Sequence, residues 1–336
     1  MPLDHPFPDP PAPATLTEVA PGVHWLRMPL PFALDHINLW ALEDGDDGWV
    51  LVDTGVANDE TRALWGQLLA GRRVSRLVCT HFHPDHMGLA GWIADTTGAP
   101  LWTTLGEWLY GRMLWLDEAD DYRVNQVDFY RRAGWDDEML AALGERGNTY
   151  RPRVGAVPTA FRRLRAGDDL SIGGRSWRVM VGEGHAPEHV SLWCAEAGVL
   201  ISGDQVLPRI SPIVGVWPQE PDSDQLGLFL GSLPQFLDLP ADALVLPSHG
   251  LPFLGLHERV DQLLHHHDDR LARTREACAV PATALDVLRV LFRRPLDPWQ
   301  IGFATGETLA HLNHLIATGE LRREVGADGA WIYRRA

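Results

Sequence analysis

Short apolar runs, each followed by a polar side chain or a turn residue, recur along the first 250 residues of the chain. Residues 22–55 predict a set of strands with a hairpin turn at 44–48. Runs with the length of buried strands occur at 49–52, 76–80, 177–181, 199–202 and 243–246. Since polar residues follow these runs closely, we expect side chains from several strand ends to meet at one edge of a sheet.

Segments with helical spacing separate the strands and follow them. They occur at 58–70, 86–97, 106–116, 121–131, 136–143, 256–277, 283–292 and 307–318. Runs at 321–325 and 330–334 predict a terminal hairpin. The pattern predicts an α/β protein with a proline-rich arm over 1–20, a main domain over 21–255 and a C-terminal domain over 256–336. The aromatic-rich helices within 104–160 predict an insertion in the main domain.

Three histidines and an aspartate lie within six residues, in the string Thr-His-Phe-His-Pro-Asp-His-Met-Gly at 80–88. Crowding gives unliganded histidines no advantage, whereas zinc-like ions bind this mixture of nitrogen and oxygen donors. Side chains two apart in an extended segment point the same way, so His81 and His83 can bind one ion. Asp85 and His86 follow at the start of a helix-like stretch, where they can face a second ion.

Further candidate ligands follow other predicted strands, where rigid elements can hold them in a fixed geometry. His185, Asp204 and His249 each follow an apolar run in the second half of the main domain, and Asp53 follows one near its start. The alternative is a set of scattered surface histidines. The repeated placement at strand ends favours a shared metal site.

These motifs resemble those of the metallo-β-lactamase superfamily over residues 20–250. The matching strings, in the order of that family, are His81-Phe-His83-Pro-Asp85-His86, Gly184-His185-Ala-Pro-Glu188-His189, Gly203-Asp204 and Ser248-His249. The resemblance implies an αββα sandwich, in which two sheets face each other with helices outside. The C-terminal domain resembles the winged-helix tail of some members of that superfamily.

The resemblance also implies ligands for two divalent ions. One ion would be bound by His81, His83 and His185, the second would be bound by Asp85, His86 and His249, and Asp204 would bridge them. Zinc is the expected metal and iron or manganese are the alternatives, because nitrogen and oxygen donors suit all of them.

Two further residues are implied to support the ligands. Asp53 matches the Asp-Thr-Gly turn of the family, whose carboxylate typically supports a ligand histidine. His189 belongs to the His185 motif, and we expect it to contact a ligand rather than a metal. Glu188 stands where relatives commonly have glycine, so we expect the local turn to differ from theirs.

The implied donor set predicts a hydrolase. Two divalent ions with the carboxylates of Asp85 and Asp204 leave positive charge that can polarise a carbonyl and stabilise an oxyanion. Metal binding lowers the pKa of water from about 15.7 toward about 7. A bridging hydroxide can then attack an ester-like carbonyl without a serine or cysteine nucleophile. Asp204, which would position the hydroxide, and Asp85 are the predicted catalytic residues.

The predicted substrate is a thioester, an ester or a lactone, because the ligand set resembles that of glyoxalase II-like thioesterases. Sulfur dioxygenases of the same fold are the alternative, since they bind a single iron with residues matching His81, His185 and Asp204. The commonest β-lactamases of the family lack a match to His86 and use cysteine at the position of Asp204, so penicillin-type substrates are disfavoured. A nuclease is a further alternative that the acidic composition argues against.

Several residues are candidates for the substrate pocket. Arg209, in the loop after the bridging aspartate, can bind a substrate carboxylate or form a surface salt bridge. His36 can approach the pocket or form hydrogen bonds within the fold. The insertion overhangs the metals in related enzymes, although ordinary helix packing is the alternative. Its candidate wall residues are Trp115, Tyr122, Phe129 and Tyr130.

Length and charge narrow the choice of partners. The 336 residues suffice for one large domain with an appendage, and the formal charge of −16 disfavours nucleic acid and anionic membranes. Basic and acidic residues nearly balance in 281–336, which favours packing or homodimerisation of this tail over DNA binding. With three distant cysteines, no signal-peptide pattern and no apolar run near about 18 residues, we expect a cytoplasmic protein with a small-molecule substrate.

Three consecutive histidines at 265–267 form a second histidine cluster. They lie within the predicted helix at 256–277, in which consecutive residues are about 100° apart. They cannot share one ion, and the sequence predicts a solvated helix face for them.

Overall fold

The computed structural model describes residues 3–32 and 34–336, and its strands form two facing sheets and a hairpin. The first sheet contains, in spatial order, β1 Thr17–Ala20, β2 Val23–Pro29, β3 His36–Glu43, β4 Trp49–Val52, β5 Val74–Val78, β6 Leu101–Thr103 and β7 Arg162–Arg163. The second sheet contains β8 Asp169–Ile172, β9 Arg175–Gly182, β10 His189–Cys194, β11 Val199–Gly203 and β12 Leu244–Pro247, and strands that are consecutive in the chain are neighbours in this sheet. The hairpin is β13 Leu321–Val325 with β14 Trp331–Arg335.

The first sheet changes from antiparallel to parallel pairing across its width. β1 to β4 pair antiparallel, whereas β4 to β7 pair parallel. Successive side chains of β3 enter two different cores: Leu39 and Ala41 pack outside the sandwich, while Trp40 and Leu42 pack between the sheets. The strand is apolar along most of its length because both of its faces are covered.

Three apolar cores give the molecule its layers. Trp25 and Val50 of the first sheet meet Trp177 and Leu192 of the second sheet in the central core. A second core lies between the first sheet and the helices outside it, and a third joins the second sheet to the C-terminal helices. Two facing sheets between helical layers confirm the predicted αββα sandwich.

The described residues form ten α-helices. They are α1 Asp59–Leu69, α2 Pro84–Met87, α3 Ala90–Thr97, α4 Leu105–Leu116, α5 Asp120–Arg132, α6 Asp137–Arg146, α7 Gln225–Ser232, α8 Leu256–Ala277, α9 Ala284–Leu291 and α10 Gln300–Ala317. The single helix predicted at 86–97 is two helices, because the backbone of Leu89 departs from helical dihedrals (φ −104°, ψ 14°). The carbonyl of the preceding Gly88 accepts the N–H of Gly155 at 2.8 Å. Within residues 3–32 and 34–336, no helix is long and apolar enough to cross a membrane.

The inserted helices α4, α5 and α6 lie between β6 and β7, as predicted, but they do not all face the metal motifs. Phe129 and Tyr130 of α5 are buried in the core shared with the C-terminal helices, and the ring of Phe129 lies 6.0 Å from that of Trp331. These two candidates for the pocket wall therefore show the alternative role, ordinary helix packing. Their apolar rings instead join the insertion to the C-terminal helices.

The C-terminal helices and hairpin pack on the outer face of the second sheet through the third core. α10 begins at Gln300, earlier than the predicted start at 307. Two hydrogen bonds from distant segments stabilise the helix between residues 300 and 306. Trp135 Nε1 donates to Thr305 Oγ1 at 3.1 Å, and the Val216 N–H donates to the Gly306 carbonyl at 3.1 Å.

The histidines at 265–267 do not share one solvated face. His265 is exposed, whereas His267 is fully buried beside Phe229, with ring centroids 5.5 Å apart. The prediction is wrong for His267, because a rotation of about 100° per residue turns one of three neighbours toward the core.

Candidate metal centre

The predicted ligands meet at one edge of the sandwich because each follows the end of a strand that points there. His81 lies beyond the end of β5, and His185 lies beyond the end of β9. Asp204 and His249 come after β11 and β12, which pair parallel and therefore end side by side. Three sets of three side chains have donor atoms that lie within 4.8 Å of one another: His81, His83 and His185; Asp85, His86 and His249; and His81, His86 and Asp204. The first two sets form two donor groups, and the third set links them.

The first donor group consists of His81, His83 and His185. His81 Nε2 lies 2.8 Å from His83 Nδ1 and 3.2 Å from His185 Nε2. Three ring nitrogens that face one another at such distances match the spacing of ligands around one ion held at about 2.0–2.1 Å.

The second donor group consists of Asp85, His86 and His249. His249 Nε2 lies 3.4 Å from Asp85 Oδ2, and His86 Nε2 lies 3.7 Å from the same oxygen. The helix α2, which carries Asp85 and His86, directly follows His83. The short string at 80–88 therefore supplies donors to both groups.

Asp204 lies between the two groups. Its Oδ1 is 3.4 Å from His249 Nε2 and 3.6 Å from His86 Nε2, whereas its Oδ2 is 3.5 Å from His185 Nε2. Each oxygen of this carboxylate thus faces a different donor group.

Two buried atoms of the centre have no hydrogen-bond partner among the described residues: His86 Nε2 and Asp204 Oδ1. A buried polar atom without a partner is costly, and in native proteins it usually has an unseen water or ion as its partner. The convergent nitrogen and oxygen donors and these two atoms fit divalent ions such as zinc.

The charged groups of the centre shift one another's pKa values. Burial lowers the pKa of His83 to about 3. Burial also opposes protonation of His86, but the carboxylates of Asp53, Asp85 and Asp204 outweigh it and raise the pKa of His86 to about 9. The pKa of Asp85 is lowered to about 2, because nearby histidines outweigh the effect of its burial. The carboxylates therefore stay ionised, a state that favours cation binding.

Asp53 connects the end of β4 to Thr80 and to the predicted ligand His86. Its Oδ2 accepts a hydrogen bond from His86 Nδ1 at 2.8 Å, and its Oδ1 accepts the N–H of Thr80 at 2.7 Å. The contact directs Nε2 of His86 toward the donor group, because the imidazole uses its other nitrogen for Asp53.

Backbone carbonyls orient two other ligand histidines in the same way. His185 Nδ1 donates to the carbonyl of Ile213 at 2.8 Å, and His249 Nδ1 donates to the carbonyl of His36 at 2.8 Å. The ring of His36 accepts the N–H of Gly250 at 2.9 Å. His36, a candidate for the pocket, thus forms the hydrogen bonds within the fold that were its alternative role.

His189 contacts the backbone of the predicted ligand Asp204. Its Nε2 accepts the backbone N–H of Asp204 at 3.0 Å. This contact requires a glycine before Asp204: Gly203 has a φ of 55°, and a Cβ there would lie 2.4 Å from the His189 ring. The Gly-Asp pair therefore lets an imidazole pack directly beneath the backbone of the central carboxylate.

The other candidate pocket residues are buried to different degrees. Trp115 is half-buried under the guanidinium of Arg151, 5.2 Å from its ring centroid, and Tyr122 packs against the core outside the first sheet. Arg209 is exposed on the loop after Asp204. Their roles toward a substrate remain predictions.

Three residues that support the centre were missed at the level of sequence. Arg259 of α8 holds the loop after Asp204, because its guanidinium donates to the carbonyls of Leu207 and Ile210 at 2.5 and 2.9 Å. Glu107 and Tyr150 of the insertion bind the backbone of the first metal loop. A lone arginine, glutamate or tyrosine in a helical or turn segment carries no local signal of such a role.

Comparison with known proteins identifies the family. Residues 33–249 match the model of the metallo-beta-lactamase superfamily, and residues 271–336 match that of the metallo-beta-lactamase-like C-terminal domain. Because the first match covers more than half of the chain, the protein belongs to the metallo-beta-lactamase superfamily.

Individual proteins resemble the chain over nearly its whole length. A crystal structure of a beta-lactamase domain protein from Burkholderia ambifaria is 47% identical with a TM-score of 0.92, and the match covers 99% of this chain and 98% of that one. A metallo-beta-lactamase family protein from Thermus thermophilus is 30% identical with a TM-score of 0.80, over 95% and 100% of the two chains. A probable metallo-hydrolase from Bacillus subtilis strain 168 is 24% identical, over 87% of this chain and 91% of its own.

Proposed function

We propose that the protein is a binuclear zinc hydrolase that cleaves an ester-like carbonyl compound: a thioester, an ester or a lactone. The observation that carries the proposal is the position of Asp204, whose Oδ1 faces His86 and His249 while its Oδ2 faces His185. A carboxylate with one oxygen toward each donor group is suited to bridge two cations. The similarity to a probable metallo-hydrolase also supports hydrolysis.

The side chains of the centre are arranged to keep the donors fixed during a reaction. Divalent ions, when bound there, would lower the pKa of water and polarise a substrate carbonyl. His185 and His249 turn Nε2 inward because Nδ1 of each donates to a backbone carbonyl. The backbone N–H of Asp204 donates to His189 Nε2, and this hydrogen bond fixes the backbone that carries the Asp204 carboxylate. The carboxylate can therefore orient the reacting groups without moving.

Apolar side chains near the centre support a substrate with an apolar acyl or alkyl group. Ile213, whose carbonyl binds His185, has an exposed side chain, and Ile210 on the same loop is also exposed. Small-molecule sites are commonly lined by apolar side chains with a few polar groups that fix orientation. The exposed Arg209 beside Ile210 is our candidate for binding a carboxylate elsewhere on the substrate.

A mononuclear iron dioxygenase is the second candidate, but the second donor group argues against it. Such a site would use His81, His185 and Asp204. It would leave Asp85 without a function, and likewise His86 and His249, which both face Asp204.

Metal analysis combined with a substrate panel tests the proposal. We expect two zinc ions per chain by plasma mass spectrometry and hydrolysis of at least one thioester, aryl ester or lactone, with activity lost after chelation and regained with zinc. The same preparation is tested with a phosphotriester, with RNA and DNA, and for oxygen uptake with a persulfide. Full hydrolysis by metal-free protein, activity confined to nucleic acid, or oxygen consumption with one bound iron would each overturn the proposal.

A further inference from the structure

Glu107 is a buried acidic residue that the proposed reaction does not use. It lies in the first turn of α4 and is fully buried. Within residues 3–32 and 34–336, no arginine, lysine or histidine forms an ion pair with it. Its Oε2 accepts the backbone N–H of Phe82 at 2.9 Å, and its Oε1 accepts the backbone N–H of Glu188 at 2.6 Å.

The two backbone groups that Glu107 binds belong to different metal-binding loops. Phe82 lies between His81 and His83, and Glu188 follows His185 by three residues. One carboxylate therefore spans the two segments that carry the first donor group. Since the carboxylate is planar and rigid, it fixes the separation of the two loops.

A second side chain of the insertion binds the same peptide segment from the other side. The Tyr150 hydroxyl donates to the carbonyl of Phe82 at 2.6 Å. Both backbone polar groups of Phe82 are thus held by side chains from the insertion: the N–H by Glu107 and the carbonyl by Tyr150. The segment between the two histidines has little freedom to rotate.

Glu188 binds the insertion in return. Its Oε2 accepts the N–H of Gly106 at 2.6 Å, and its carbonyl accepts the Thr104 hydroxyl at 2.8 Å. A Cβ on Gly106 would lie 3.1 Å from the Glu188 carboxylate, so glycine allows this approach. Glu188 thus connects the His185 loop to the start of α4.

Among the described residues, no side chain of the insertion forms a hydrogen bond with Asp85, His86 or His249; the insertion approaches this group through a backbone contact, from the N–H of Gly155 to the carbonyl of Gly88 at 2.8 Å. His86 is oriented by Asp53, which follows β4, and His249 by the carbonyl of His36, which begins β3. These supports come from the first sheet rather than from the inserted helices. The two donor groups therefore depend on different parts of the fold.

We infer that Glu107 is a positioning residue that, together with Tyr150, fixes the first donor group by clamping the His81–His83 and His185 loops to the inserted helices. The inference rests on the metal binding of the proposed function, but it does not depend on the substrate. The insertion then sets the metal affinity of the site made of His81, His83 and His185.

Cobalt binding to chelator-treated protein tests the inference in Glu107→Gln. Glutamine keeps the size of the side chain, but its amide nitrogen cannot accept the N–H that one carboxylate oxygen binds. Loss of such a supporting contact typically weakens metal binding by about 10–100-fold. We expect this loss for the three-histidine site by visible absorption of bound cobalt, with affinity of the second site changed by less than about threefold. The same titration in a His249→Ala background, which removes a predicted ligand of the second site, shows which change in cobalt absorption belongs to which site.

Two further variants separate positioning from general stability. Tyr150→Phe removes only the hydroxyl, and we expect it to weaken the same site by less than Glu107→Gln does. Glu307→Gln alters another buried glutamate, one on α10 that pairs with Arg270 at 3.2 Å, and we expect wild-type cobalt binding.

Two outcomes would overturn the inference. One is wild-type cobalt affinity of the three-histidine site in both Glu107→Gln and Tyr150→Phe. The other is an equal loss at both sites. If the wild-type protein binds two cobalt ions but hydrolyses no member of the substrate panel, the proposed function fails while the positioning role of Glu107 stands.

Discussion

At the scale of single residues, the backbone of Asp53 is as specific as its side chain. Asp53 is one of two described residues other than glycine with a positive φ, at 65°. Aspartate and asparagine tolerate this left-handed region better than other side chains do. The conformation lets one carboxylate bind both Thr80 and His86.

Asp53→Asn should weaken metal binding without straining the backbone. The amide nitrogen of asparagine would face an N–H donor, either His86 Nδ1 or the Thr80 N–H. We expect the second donor group, whose His86 binds Asp53 directly, to lose about 10–100-fold in affinity. The three-histidine site should lose less, because its link to Asp53 passes through the Thr80 hydroxyl, which lies 3.0 Å from His81 Nδ1. Cobalt titration checks this. Unchanged binding at both sites would show that Asp53 does not orient His86.

Asp204→Asn should abolish most activity against any substrate found in the panel. Asparagine has the shape of aspartate but no charge, and it presents only one oxygen to two donor groups. We expect kcat to fall by at least about 100-fold, by analogy with the removal of other preorganised electrostatic groups. The control is Asp261→Asn, on the exposed face of α8, which should retain full kcat. Activity of Asp204→Asn within a few-fold of wild type would refute the role of Asp204.

At the scale of elements, contacts between distant segments decided where helices begin. The stretch before residue 307 contains Gly302 and Gly306, which disfavour an isolated helix. In the fold, Trp135 and Val216 donate hydrogen bonds to Thr305 and Gly306, and α10 extends back to Gln300. By contrast, α8 coincides with its prediction at 256–277, because its apolar positions recur on one face.

The segment that enters α10 is attached to the insertion through Trp299. The guanidinium of Arg153 lies 4.6 Å from the Trp299 ring and that of Arg146 lies 4.9 Å from it. Each cation–π contact at an exposed site contributes about 0.5–1 kcal/mol. Trp299→Ala should therefore lower the free energy of unfolding by about 1–2 kcal/mol, measured by urea denaturation.

Trp299→Phe serves as the control for this prediction. The smaller ring keeps a π face for both guanidiniums, so most of the stability should remain. Equal losses for alanine and phenylalanine would indicate that tryptophan contributes through its size or its N–H rather than through the two arginines.

At the scale of the whole molecule, metal removal should destabilise the fold. Seven donor side chains from the segments that follow four strands converge at the centre, and the unfolded chain does not hold them together. A ligand at about 1,000 times its Kd stabilises a protein by about 4 kcal/mol. We expect chelation to lower the melting temperature by several degrees in differential scanning fluorimetry, with recovery on addition of zinc. An identical melting temperature with and without chelator would argue against tight metal binding.

The C-terminal helices contain a pair of buried histidines that should make the fold sensitive to acid. His267 Nδ1 lies 3.2 Å from His311 Nε2, next to Arg270. Burial lowers the pKa of His267 to about 2 and the pKa of His311 to about 3. Histidines in the unfolded chain have pKa values of about 6.5. Below that pH the unfolded chain therefore binds protons that the folded chain does not, and stability falls as pH decreases.

His267→Phe tests this dependence. Each histidine contributes up to about 1.4 kcal/mol per pH unit below about pH 6. The slope of the unfolding free energy between about pH 6 and about pH 5 should therefore be smaller in the variant by roughly that amount. The metal-site histidines contribute equally to variant and wild type, so the difference isolates His267. Parallel slopes would show that His267 titrates normally in the folded protein.

The sequence by itself determined the family, the types of the ligands and most of the strands and helices. These properties reside in neighbouring residues: the spacing of His81, His83, Asp85 and His86, and the apolar runs that precede each distant ligand motif. Strand and helix periodicity is likewise local, so the strands and the inserted helices could be predicted. The αββα sandwich was implied by the resemblance of the motifs to those of the metallo-beta-lactamase superfamily.

Only the tertiary structure decided which side chains hold the ligands in place and which aromatic or histidine residues are buried. Glu107, Tyr150 and Arg259 bind backbone groups far away in sequence, and ordinary glutamate, tyrosine and arginine positions give no sign of such partners. Phe129 and His267 face a core rather than a pocket or solvent, because the C-terminal helices pack against them. Burial and hydrogen bonding between remote segments depend on how the elements pack, and that packing is not encoded in any short stretch of the chain.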